Sequence, residues 1–198
     1  MMITVVDPPE NYPISLADVK KHLVIEHDED DDLIETYLKS VIAMLDPPYG
    51  FLGRAMVTQT LKYWRETIPA GKIIKIPFPP LQSVTSVKYY DSDEAEQTIS
   101  SDDYTVVTSH EPGYVELSTN KSWPTSLSER KYPVFIEFIA GYGDCCDLYE
   151  PVPADLRQWI LLSVADFYMQ REHLNPYQLS HNKFTMNIIE NHRFYFYD

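Results

Sequence analysis

Cysteine is nearly absent. The chain has two in 198 residues, Cys145 and Cys146, and they are neighbours. Adjacent cysteines suit a disulfide poorly, because a bridge wants Cα atoms about 5.5 Å apart. No disulfide framework is expected, and the chain reads as made in a reducing cytoplasm. No Cys or His spacing suits zinc, and the six histidines form no ligand pair on one helical face, so neither metal nor cofactor is expected. No apolar run approaches the ~20 residues of a membrane helix, and the first residues lack the basic and apolar regions of a signal peptide. No membrane association is expected. Positive charge is short as well: 16 Lys and Arg face 30 Asp and Glu, a net charge of −14. No basic cluster offers the phosphate contacts that a wrapped nucleic-acid binder needs. P-loop, Gly-x-Ser-x-Gly and His-Glu-x-x-His patterns are all missing. Among 30 carboxylates, two lying close together mean little by themselves. The chain is not expected to be an enzyme.

What is there in quantity is tyrosine and proline, 15 of each, against 6 glycines. Tyrosine at that density suits interfaces, and the prolines argue against a simple helix bundle. Ser15 with Asp18 three residues on predicts a capped first helix over 16–23, with Leu16, Val19 and Leu23 on one face. A second helix follows, with Leu33, Ile34, Tyr37, Leu38, Val41, Ile42 and Leu45 as its stripe, stopped by Asp46-Pro47-Pro48. Asp28, Glu29, Asp30, Asp31 and Asp32 lead into it and are expected to cap its N–H groups and offset its dipole. They lack the spacing and glycine of a calcium loop.

From about residue 56 the period changes. Strands are expected near 57–63, 72–76, 84–90, 104–108, 114–117 and 134–140, as a small antiparallel sheet, sandwich or partial barrel. Residues 77–80, rich in proline, are expected to run along an edge. Helix returns at Pro153, with Leu156, Trp159, Ile160, Val164, Phe167 and Tyr168 marking one face. Met186, Ile188 and Ile189 suggest a short further helix. The fold class is therefore α+β: a small helical bundle from residues 1–48 and 151–198, with an antiparallel β module, 49–150, inserted between them. Phe194, Tyr195, Phe196 and Tyr197 end the chain as a run of aromatics, either folded back on the helical core or docked on a partner.

Three blocks carry a family resemblance. The first is Leu16-Ala17-Asp18-Val19-Lys20-Lys21-His22-Leu23, running into the acidic stretch. The second is Ile76-Pro77-Phe78-Pro79-Pro80-Leu81-Gln82-Ser83-Val84. The third is Gly141-Tyr142-Gly143 followed by Val152-Pro153-Ala154-Asp155-Leu156-Arg157-Gln158. In this order they resemble the head–tail connector, or adaptor, proteins of long-tailed bacteriophages, in the branch with a β-rich insertion between helices. The likeness runs over about residues 14–172.

The resemblance implies a structural virion protein of the neck, between capsid and tail. It implies a ring of copies of the chain, usually twelve, that joins a portal protein to a stopper or tail-completion protein. DNA would pass through without specific binding, and an acidic wall suits such a channel. A C-terminal arm, residues 187–198, would reach the portal, with Phe194, Tyr195, Phe196, Tyr197 and Asp198 as docking candidates and removable without loss of the fold. Asp28, Glu29, Asp30, Asp31 and Asp32 become candidates for the channel or a subunit seam. The alternatives are a stopper or tail-completion protein of the same region, which a mainly β fold would favour, or a phage-borne enzyme or carbohydrate-binding module.

Overall fold

The computed structural model describes residues 2–143, 151–170 and 183–197. Cys145, Cys146 and Asp198 lie outside them. Within them the chain builds two apolar cores, one helical and one between two sheets.

The helical core forms where the 3.6-residue period holds. Helix α1 (Leu16–Leu23) is capped as expected: the Ser15 hydroxyl oxygen accepts from the Asp18 N–H at 3.1 Å. Helix α2 (Asp31–Leu45) buries Ile34, Leu38, Val41, Ile42 and Leu45. Helix α3 (Ala154–Met169) lies against it and buries Leu156, Ile160 and Val164. Helix α4 (Lys183–His192) adds Ile188 and Ile189. Each such side chain contributes about 1.5–3 kcal/mol by leaving water.

The β part is a sandwich. One sheet has five antiparallel strands in the order β1-β2-β8-β4-β5: β1 (Met2–Asp7), β2 (Gln59–Arg65), β8 (Val134–Ala140), β4 (Leu81–Tyr90) and β5 (Glu96–Thr98). The other has three, β3-β7-β6: β3 (Ile73–Lys75), β7 (Tyr114–Leu117) and β6 (Tyr104–Val107). Strand β2 shows the expected alternation, with Leu61 and Tyr63 facing the second sheet and Thr60, Lys62 and Trp64 half-exposed behind. Central strand β8 is buried along its inner face, at Val134, Ile136, Phe138 and Ala140, while on the outer face Phe135 is buried and Glu137 and Ile139 are half-buried. Its outer Phe135 is roofed by Trp64 and Tyr90, with ring centroids at 4.7 and 5.9 Å, and by the Lys62 ammonium at 5.0 Å.

Three local expectations need correction. The N-terminal residues, read with the helical segment, form β1 and pair with β2 in the sandwich. Strand β5 was not foreseen; it is three exposed residues long. Residues 77–80 do not follow an edge. They carry the chain through the interior from the small sheet to the large one, with Pro77, Phe78 and Pro79 buried. The Pro79 and Pro80 carbonyls accept from Ala55 and Gly141, and because the segment lies between β3 and β4 the missing proline N–H groups cost no ladder bond there. Gly141 turns the chain out of β8 at φ +125°, where a Cβ would meet the Val57 carbonyl oxygen at 2.2 Å.

Candidate functional site

The acidic run divides into two sets. Asp30 occupies the N-cap position of α2 but makes no capping hydrogen bond. It accepts instead from the Tyr168 hydroxyl of α3, at 2.6 Å. Asp31 and Asp28 both hold the Lys20 ammonium, at 2.7 and 2.5 Å. Those two hydrogen bonds push the Lys20 pKa above its ordinary value. The expected capping by side chains is thus replaced by tertiary contacts; only the favourable placement against the helix dipole remains. Asp28, Glu29 and Asp32 are exposed, and Asp30 and Asp31 are half-buried. Exposed Val24 and Met169, 84% and 78% accessible, stand at this same pole, after α1 and at the end of α3.

The tail lies at the other end of α3. His192 bonds Asp155 in the first turn of that helix, Nε2 to Oδ2, at 2.7 Å. Between Asp155 and Tyr168 the helix rises about 20 Å at 1.5 Å per residue. The acidic run and the aromatic run are therefore separate surfaces.

The tail is also built into the body. The Phe194 N–H donates to the Leu52 carbonyl at 2.9 Å. Its own carbonyl oxygen lies over Gly53, which sits at φ +70°, and a Cβ there would be 2.0 Å from that oxygen. Arg54 fastens the crossing. Its Nε donates to the His192 carbonyl at 2.6 Å, its two terminal nitrogens donate to the Glu111 carboxylate at 2.8 and 2.6 Å, and its guanidinium lies 5.8 Å from the Phe194 ring. A bidentate charged pair of this kind is strong and directional. Beyond it, Phe196 meets buried Tyr63 edge to face at 6.1 Å.

Extended backbone alternates its side chains, so the aromatic run splits. Phe194 and Phe196 face the protein and are half-buried, whereas Tyr195 and Tyr197 are 55% and 77% exposed. Asp198 lies outside the described residues. An arm over 187–198 that could be removed without loss of the fold is not what the chain has, since Ile188, Ile189 and Phe196 all pack into the two cores. Arg54 and Glu111 were not marked as site residues from the sequence, and Tyr168 was read only as part of the apolar face of its helix. Partners 57 and 138 residues apart leave no periodic trace. Among the described residues no group of three or more His, Cys, Asp or Glu side chains is placed to hold a metal ion.

Comparison with known proteins gives a consistent picture. No curated protein matches the chain. Its fold is similar to a chain in the neck of an empty GTA particle computed with C6 symmetry (TM-score 0.76, 21% identity, 98% of this chain and 95% of that one). It is similar in the same way to a chain in the virion of a native gene transfer agent (GTA) particle (0.76, 20%, 98% and 95%). A third likeness is to a chain in the neck of a native GTA particle computed with C12 symmetry (0.71, 21%, 98% and 95%). At these identities the likeness speaks for the fold. The family assignment comes from the sequence: the profile of the phage gp6-like head-tail connector proteins matches residues 13–118, more than half the chain, from the start of α1 to the end of β7. The chain belongs to the phage gp6-like head–tail connector family.

Proposed function

We propose that this connector assembles into a closed ring in the virion neck, joins a portal protein above to a stopper or tail-completion protein below, and lets DNA pass. The observation that carries the reading is the family match, which covers α1, α2 and most of the sandwich. The fold likeness to chains from particle necks computed with C6 and C12 symmetry supports a ring, and twelve copies would satisfy both. A ring repeats one heterologous contact until it closes. The exposed carboxylates of Asp28, Glu29 and Asp32 suit a channel wall or a subunit seam, where a net charge of −14 per copy keeps DNA from adhering. Tyr195 and Tyr197 suit portal docking, as flat apolar bodies with polar tips held out from a fixed backbone. We read the role as structural rather than catalytic. A stopper would call for a mainly β fold; the four-helix part flanking the sandwich fits the adaptor better.

The test is the native mass of the chain, alone and mixed with the portal protein of the same virion. The expected result is a ring-sized assembly on the portal. No association at low or moderate salt would set the adaptor reading aside in favour of the stopper.

A further inference from the structure

Between α3 and α4 runs a groove of about 370 Å³. Phe51 and Trp159, edge to face at 6.1 Å, line it together with buried Ile189. Met186 lines it too, and is 52% exposed. Aromatic side chains and methionine are the residue types enriched at interface centres.

Two polar features of the same groove lack a partner among the described residues. The indoles of Trp64 and Trp123 donate to the Thr4 hydroxyl at 3.1 Å and the Gly71 carbonyl at 2.9 Å. Trp159 is the one tryptophan whose indole N–H finds no acceptor among the described residues. The Asp166 carboxylate, exposed on the rim, likewise has no cation there. The remaining rim charges, Glu190 and Arg193, answer each other at 3.4 Å. Among the described residues the groove therefore offers an apolar floor, one hydrogen-bond donor and one unanswered negative charge.

We propose that this groove receives a segment of a different neck protein, one carrying a large apolar anchor flanked by lysine or arginine. The choice of neighbour to test rests on the connector reading; the chemistry of the segment rests on the groove. A second copy of this chain fits poorly, since it brings −14 of its own charge to an acidic rim. A cationic segment is steered in by the same field.

The test is titration calorimetry of the full chain against the purified portal protein and against the purified tail-side neck protein of the same virion. Three variants are compared with the wild type: Asp166→Lys, Met186→Glu and Trp159→Phe. The first two change exposed side chains, and the third keeps an aromatic ring while removing the indole N–H. The expected result is that wild type binds one neighbour and that Asp166→Lys and Met186→Glu each weaken it about tenfold or more, at unchanged circular dichroism and unfolding temperature. Trp159→Phe weakens it less, and the Asp166→Lys loss shrinks in high salt. Wild-type affinity for both neighbours in all three variants overturns the proposal. So does a loss of ring assembly with neighbour binding intact, which would put a second copy in the groove. Wild type that forms no ring and binds neither neighbour overturns the connector reading along with it.

Discussion

Tyr168, at the end of α3, donates its phenolic hydrogen to Asp30, at the start of α2, over 2.6 Å. A carboxylate placed to cap its own helix is thereby spent on clamping two helices together. The bond fixes the acidic pole against the bundle, so the exposed carboxylates beside it are presented from a rigid base. Tyr168→Phe removes the donor and keeps the ring. It is expected to cost about 1–2 kcal/mol, read as a lower denaturation midpoint with an unchanged m-value.

Asp46 carries a pH dependence. Burial raises its carboxyl from the ordinary 3.8 to about 6, against the opposing pull of hydrogen bonds from the Met56 N–H at 2.8 Å and the Gln59 amide at 2.9 Å. The folded state thus holds the proton more tightly than the unfolded one. The stabilisation this gives is present below about pH 4 and is lost as pH rises to about 6, amounting to about 2–3 kcal/mol. Asp46→Asn, neutral at every pH, should remove that component. Denaturant titrations of wild type and variant at pH 4.5 and pH 7 check it. The variant must gain relative to wild type on going to pH 7, and parallel pH profiles would rule the effect out.

Gly53 is where the tail meets the body. Alanine there faces a positive φ and the Phe194 carbonyl oxygen together. Gly53→Ala is expected to cost about 1–3 kcal/mol and to loosen the tail. Limited proteolysis should then cut beyond residue 192 at a higher rate. Equal cleavage of the two proteins would mean that the tail is not held at this point.

Portal docking by the tail separates into two experiments. Tyr195→Ser with Tyr197→Ser touches only exposed rings, so the double variant should keep the wild-type unfolding temperature while portal affinity falls. Deleting residues 187–198 removes Ile188 and Ile189 from the helical core and should lower stability by several kcal/mol at about 2–5 per buried isoleucine. A double variant that binds the portal like wild type would leave the tail with a purely internal role.

Much of this architecture was legible where a single period governs a long segment. The stripe from Ile34 to Leu45 and the alternation of Leu61 and Tyr63 with Lys62 and Trp64 each gave their element directly. Strand β1 was not legible, because it is an edge strand with Ile3 alone half-buried and shows no alternation; its pairing with β2 decides it. The interior path of Pro77, Phe78 and Pro79 was hidden for a related reason. Proline excludes a central strand but says nothing about depth, and depth here follows from the two sheets closing over the segment. The aromatic run was visible, but which rings face inward depends on Gly53 and Leu52, far away in sequence. The acidic run was visible too, while its division between internal and exposed members depends on Lys20 and Tyr168.

The chain passes between the sandwich and the helical core at 8–15, at 46–58, beyond Gly141 and again at 193–196. A body joined by one linker swings on it; a body stitched at four places resists bending and twisting alike. Arg54 and Glu111 close the last of these stitches. In the proposed ring, a subunit built this way would carry load from packaged DNA as one block, and any give would fall to the joints between neighbouring copies.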